Sequence, residues 1–305
     1  MPNLEVKCSQ EMERFFLEND GELLRKMHAL LKDHKSLDPL TEEPKNTVLL
    51  KGVSERLRCF SWDERESVPE IEYDLIINLE DTLEVGFYLQ TVKSKQRFGA
   101  YVGANNALSY TDDSRGWFDL SLISRYGRAE ADRLKLLNRR TYQDLLFAGL
   151  GYQFSGETYL LPTPLETGLA GDVAISAEAG PVWPMKNWAY YAELKRGLEA
   201  SGLTVNVLGK RASLLEHLCD VRNHRCLIGG DSLPMHLALG TGRKCVSLFT
   251  CTSPWEIYDY GIQTKLISPL LEEFFYKRDF DPRATTAITL EEVLAAVTRQ
   301  LGASS

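Results

Sequence analysis

No run of about 18 apolar residues occurs in this 305-residue chain, so no membrane-spanning helix is expected. The opening MPNLEVKCSQEMER lacks a basic segment followed by an apolar one, and no secretory signal is expected. Positive charge is scarce. Lys and Arg number 35 against 43 Asp and Glu, a formal net charge of −8. That sign is opposite to that of a non-specific nucleic-acid binder, so no nucleic-acid partner is expected, and membrane contact would be peripheral. Paired cysteines are missing too. None of Cys8, Cys59, Cys219, Cys226, Cys245 and Cys251 forms a Cys-x-x-Cys pair. Several sit in apolar runs such as Cys-Val-Ser-Leu-Phe, the pattern of buried reduced thiols in a cytoplasmic protein. His217, Cys219, His224 and Cys226 crowd together without the paired spacing of a zinc site, so no metal ligands are expected. Neither GxxxxGK[ST] nor GxGxxG occurs, which disfavours a P-loop ATPase and a nicotinamide-dependent Rossmann enzyme.

What is present reads as a globular α/β protein. Apolar residues make up 44% and charged residues 26%, enough to bury a large core, and the length suits two domains. The Pro- and Gly-rich loop PTPLETGLAG (162–171) is the expected boundary, giving domains over 1–165 and 166–305. Strands are expected at DVAISAEA (172–179), LTVNVL (203–208), RCLIG (225–229) and KCVSLF (244–249). Helices alternate with them: one after a cap at Asn187, one over 213–221 and one over 232–239. Such alternation implies right-handed crossovers and a mostly parallel sheet. A last helix opens with a Thr289/Glu292 capping box and could pack back on the first domain. In the first half, YDLIINL (73–79) reads as a buried strand, Leu83–Thr91 as a helix, Arg97–Val102 as a strand and Gly127–Gly151 as one helix. Met12–Leu17 and Glu22–Asp33 suggest a degenerate strand or helix followed by a helix.

Three loops can carry chemistry. The first, Gly229-Gly230-Asp231-Ser232-Leu233-Pro234-Met235-His236, follows a strand and opens a helix. Unpaired first-turn N–H groups and the positive end of the helix dipole can bind a phosphate or diphosphate there. A well-capped structural helix with His236 in the core is the plainer reading. The second, Ala179–Trp188, carries Lys186 beyond a strand, placed to neutralise a leaving phosphate. The third, Leu248–Trp255, brings the hydroxyls of Thr250, Thr252 and Ser253. All three project at the carboxyl edge of one parallel sheet. Trp183, Trp188, Trp255, Tyr258 and Tyr260 flank these loops, suited either to stacking on a sugar or base or to packing. Beyond the YDLIINL strand, Glu80, Asp81 and Glu84 read as helix-capping residues that complement the helix dipole, with a place facing the cleft as the alternative.

In this order the segments MKNW, NVLG, DSLPMHLA and LFTCTSP resemble glycosyltransferase family 9, the lipopolysaccharide heptosyltransferases. YDLIINLED and NRRTYQDLLFAGLGYQFSGETYLLP extend the resemblance over roughly residues 40–265. The resemblance implies a GT-B fold, two Rossmann-like domains with mostly parallel sheets facing across a cleft. It implies a metal-independent inverting glycosyltransferase without a cofactor. Its substrates would be a nucleotide-sugar donor such as ADP-heptose, held mainly by the second domain, and a glycan or small-molecule acceptor. Lys186 would stabilise the departing nucleoside diphosphate, and Asp231 would bond the sugar hydroxyls. Ser232, Leu233, Pro234, Met235 and His236 would receive the diphosphate, with Leu208, Gly209, Thr250 and Thr252 completing the donor site.

The chain departs from the family at several points. Leu233 stands where the family has Gly. The carboxylate that holds the ribose after the Leu-Gly strand is not evident in GKRASLLE, where Glu216 is the nearest substitute. The family's opening strand and Gly-Asp loop have their best match in Asn19-Asp20-Gly21, so Asp20 is the candidate general base, with helix capping as its alternative role. This amino terminus motivates a second reading: a sugar-nucleotide-binding or partner protein without catalysis.

Overall fold

The structure, a computed structural model, describes residues 40–41, 44–121 and 125–302. Asp20 and the elements expected over Met12–Leu17 and Glu22–Asp33 lie outside the described residues. Two compact units are present. One comprises the described residues of 67–156 with 255–258, and the other comprises the rest of the described residues.

Strand β1 (Leu40–Thr41) pairs in parallel with β2 (Phe60–Ser61). In the unit around residues 67–156, β3 (Tyr73–Asn78) lies parallel to β4 (Ser94–Val102), and β5 (Leu108–Tyr110) runs antiparallel to β4. The Leu83–Thr91 helix forms the crossover between β3 and β4. Its cap is Thr82, whose Oγ1 accepts the Val85 N–H at 3.3 Å. Glu80 and Asp81, expected as capping residues, do not fill this position. Gly99 is obligatory on β4: its φ is +108°, and a Cβ there would lie 1.7 Å from the Asn78 carbonyl oxygen.

The helix expected over Gly127–Gly151 is instead two helices, Arg128–Leu137 and Tyr142–Gly149. The break has a local cause. Asn138 Oδ1 accepts the Arg140 N–H at 3.0 Å, the kind of side-chain bond that competes with helix. Thr141 then restarts the helix with a capping box, exchanging hydrogen bonds with Asp144. The second helix buries Leu145, Leu146 and Phe147. In the same unit, Lys135 and Glu256 are 3% and 1% exposed. Lys135 Nζ donates to Glu256 Oε2 at 3.2 Å and to the Tyr142 hydroxyl at 2.9 Å. The Tyr142 N–H donates to the Glu256 carbonyl at 2.9 Å.

The larger unit is built on β6 (Gly171–Ser176), β7 (Val205–Val207), β8 (His224–Gly230), β9 (Lys244–Phe249) and β10 (Gln263–Ile267). All pair in parallel, in the order β10-β9-β8-β6-β7. Their residues read as near-continuous apolar runs because both faces are covered. One face buries Val173, Ile175, Cys226, Ile228, Val246 and Leu248 against Leu194 and Leu198 of the Tyr191–Ala200 helix. Val293, Ala296 and Val297 of the Leu290–Gly302 helix close the same core. The Thr289/Glu292 capping box is present. Gly229 pairs with Ser176 across β8 and β6, and a Cβ there would meet the Ser176 Cβ at 3.0 Å, so close strand contact explains that glycine.

Asn187 does not cap the helix as expected. A 3₁₀ turn over Pro184–Lys186 intervenes, the helix begins at Tyr191, and Asn187 Oδ1 accepts the Ala179 N–H at 2.7 Å. The asparagine therefore closes the loop between β6 and the helix.

Candidate functional site

Counted from β6, the strands of the larger sheet lie in the order 2-1-3-4-5. In sheets of this order the switch point, where ligands bind, falls between the first and third strands, here β6 and β8. The loop after β6 carries Lys186, and the loop after β8 carries Asp231 and Ser232. Chain topology thus brings together two segments separated by 45 residues.

Lys186 is 4% exposed and points at the second segment. Its Nζ donates to the Asp231 carbonyl at 2.7 Å and lies 3.3 Å from Asp231 Oδ2. Burial alone would raise the Asp231 pKa. The charges of Lys186 and His236, with the Thr252 hydroxyl and the Lys186 hydrogen bond, outweigh it and hold the carboxyl below its ordinary value. Asp231 is therefore an anion with a cation locked onto it at neutral pH. The buried Thr252 lies within electrostatic reach of Asp231 without closing a hydrogen bond of normal geometry.

The Leu233–Gly240 helix starts immediately beyond. Ser232 is its extended cap, and Pro234 sits in its first turn, where a missing N–H is harmless. The Ser232 carbonyl accepts from Met235 and His236, and the Ser232 hydroxyl donates to the Gly230 carbonyl at 3.4 Å. This serine side chain does not cap the turn; with Pro234 lacking an N–H and Met235 and His236 turned to the Ser232 carbonyl, the Leu233 N–H and the positive dipole end are what the turn offers an anion. Ser232, Leu233 and Pro234 are partly exposed, whereas Met235 and His236 are buried. His236 shares a 2.8 Å hydrogen bond with the Tyr159 hydroxyl through Nδ1. Sequence reasoning did not single out Tyr159, because nothing in its local pattern marks a partner 77 residues away.

The third loop supports the second. Thr250 Oγ1 donates to the Met185 carbonyl at 2.8 Å, tying the end of β9 to the turn that carries Lys186. Lys265 of β10 donates to the Pro254 carbonyl at 2.7 Å and fixes the far end of that loop. Leu208 is buried and its N–H donates to Ile175 O at 2.8 Å, while Gly209 is exposed beside it. Glu216 is engaged at the start of its own helix. Its carboxylate accepts the Ser213 N–H at 3.1 Å in the capping box of the Leu214–Arg222 helix.

The aromatic residues separate into roles. Trp188 is core: its indole N–H donates to the Ile288 carbonyl at 2.8 Å. Tyr260 donates to the Glu157 carbonyl, and Tyr258 meets Phe154 edge-on. Arg139 lies 3.8 Å over the Trp255 ring. Trp183 is at the site, 5.8 Å from Lys186 Nζ. Cys59, Cys219, Cys226, Cys245 and Cys251 are buried, and burial pushes the Cys245 thiol up to about 12. His224 is engaged by the Asp220 carbonyl and Asn206.

A parallel 2-1-3-4-5 sheet is an α/β fold that binds ligands at the switch point where Lys186 and the helix start lie. Residues 179–274 match the family described as glycosyltransferase family 9 (heptosyltransferase). MKNW, NVLG, DSLPMHLA and LFTCTSP all fall inside this range, and the resemblance read from them holds. A family 9 glycosyltransferase from Veillonella parvula aligns with a TM-score of 0.68 at 16% identity, over 94% of this chain and 95% of that one. The Escherichia coli heptosyltransferase WaaC, bound to ADP-2-deoxy-2-fluoro heptose, aligns at 0.58 and 13% identity, covering 92% and 96%. The iron-containing dodecameric glycosyltransferase TibC of enterotoxigenic Escherichia coli aligns at 0.54 and 13% identity, covering 94% and 72%. No curated protein sequence matches the chain. No helix among the described residues is long and apolar enough to cross a membrane.

Proposed function

We propose that this protein is an inverting glycosyltransferase. It moves a heptose or similar sugar from a nucleoside-diphosphate donor, ADP-heptose, to a glycan of lipopolysaccharide-core type or a small-molecule acceptor. Residues 166–305 bind the donor, and residues 1–165 serve the acceptor. The observation that carries this reading is the Lys186 ammonium held beside the open start of the Leu233–Gly240 helix.

In the reaction the acceptor hydroxyl oxygen attacks the anomeric carbon, and the bond from that carbon to the β-phosphate oxygen breaks. The pair of electrons leaves with the nucleoside diphosphate. The Lys186 ammonium lies beside that diphosphate and offsets its developing charge, and the helix start adds the Leu233 N–H and a positive dipole end. This cationic pair supplies the charge stabilisation in the metal-independent reaction. Asp231 holds Lys186 in place, and its outer oxygen accepts from a sugar hydroxyl. The hydroxyl proton passes to Asp20, an assignment that rests on the Asn19-Asp20-Gly21 order alone.

The test is turnover with ADP-heptose and a panel of nucleotide sugars. Lys186→Met is expected to lower kcat on the order of a hundredfold or more, the scale for removing one donor to developing charge. Asp20→Ala is expected to abolish transfer while leaving donor binding intact. A parent protein that binds ADP-heptose without transferring the sugar would instead be a sugar-nucleotide binder.

A further inference from the structure

Beyond the short Leu271–Phe274 helix, the chain makes an unusual turn. Tyr276 adopts a left-handed backbone, φ 50°, which a bulky residue takes only where its surroundings hold it. They do so from two sides. The Tyr276 N–H donates to the Cys251 carbonyl at 2.8 Å, in the loop after β9. Its ring meets Trp183 edge-on, with centroids 5.4 Å apart.

Two residues further on, the Arg278 guanidinium carbon lies 5.3 Å from the centroid of that same Trp183 ring. The indole, itself fully buried, thus has Lys186 Nζ and the Arg278 guanidinium as neighbours. Arg278 is partly buried, and that burial holds its pKa below the ordinary arginine value. A planar guanidinium fork braced by an aromatic ring suits bidentate contact with phosphate oxygens.

We propose that Arg278 is a donor-binding residue that engages phosphate oxygens of the nucleoside diphosphate, with Trp183 as the platform it shares with Lys186. The inference rests on the glycosyltransferase reading above. It assigns a role to a residue beyond 274, where the family match ends. Tyr276 acts here as a positioning residue, because its strained backbone sets where the following side chains emerge.

The experiment is titration calorimetry of the full chain with ADP and with adenosine, for the parent, Arg278→Met, Arg278→Lys and Lys186→Met. Methionine keeps an apolar stem over Trp183 and removes the charge. The ADP affinity of Arg278→Met is expected to fall about tenfold with adenosine affinity unchanged, the scale of one charge-assisted hydrogen bond. A purely structural stacking role would lower thermal stability and leave the ratio of ADP to adenosine affinity where it was, and that result overturns the proposal. Should the methionine variant not fold, Arg278→Lys gives the same reading, since lysine lacks the planar fork and the ratio is expected to fall. A parent that binds no ADP overturns this inference together with the glycosyltransferase reading. ADP binding that is lost in Lys186→Met but unchanged in both Arg278 variants overturns this inference alone.

Discussion

Lys186 and Asp231 form a buried ion pair across the two loops that flank β6 and β8, with Nζ 2.7 Å from the Asp231 carbonyl oxygen and 3.3 Å from its carboxylate. Removing the lysine leaves an uncompensated buried anion. Lys186→Met is therefore expected to lose about 3–5 kcal/mol of stability, and the double variant Lys186→Met/Asp231→Asn to recover most of it. Urea denaturation of the parent, both single variants and the double variant measures this. Additive losses would show that the two residues do not act as a pair.

The pair has a pH signature. Asp231 has a folded pKa below its ordinary 3.8, so the stability it contributes is fully present above about pH 4. That contribution is lost as pH falls below 4 toward the folded pKa. The acid limb of the stability curve is expected to be shallower in Asp231→Asn than in the parent, as read from thermal melts between pH 5 and pH 2.

Asp81 has the opposite sign. Burial raises its pKa from 3.8 to about 6, against bonds from the backbone and the Tyr110 hydroxyl that lower it. Folding therefore favours its protonated form, and stability is lost as pH rises from about 4 through 6. Asp81→Asn removes the cost of ionisation. The variant is expected to be more stable than the parent at pH 7.5, by on the order of 3 kcal/mol at most, and close to it at pH 4. Equal melting shifts at both pH values would refute this.

Lys135 and Glu256 form a second buried pair, this one within the unit of residues 67–156 and 255–258. Lys135→Met and Glu256→Gln are each expected to destabilise by several kcal/mol, and the double variant by much less than their sum. A double-mutant cycle in urea gives the coupling energy directly.

Much of the larger unit was legible in the sequence because its strands are continuous apolar runs between turn signals. KCVSLF is a strand at the expected residues, and Thr289/Glu292 and Ser213 mark helix starts through local bonds. The site was legible as three loops on one sheet edge, but not as a contact. The spacing of 45 residues says nothing of the Lys186–Asp231 distance until the strand order is known. Asn187 misled because a 3₁₀ turn claims it first, and Gly127–Gly151 misled because Asn138 and Thr141 interrupt an otherwise amphipathic pattern. Arg278 had no signature, since a lone arginine in FFYKRDF reads as a solvated charge until Trp183 is found beneath it.

The Lys135–Glu256 bond also governs how the chain can be divided. A polypeptide ending at residue 165 would retain Lys135 in its buried setting but lose Glu256, and with it Trp255 and Tyr258. A fragment beginning at residue 166 would carry those side chains without the surfaces they fill. Halves produced separately are thus each missing an interior piece, whereas co-expressed halves could restore it by complementation.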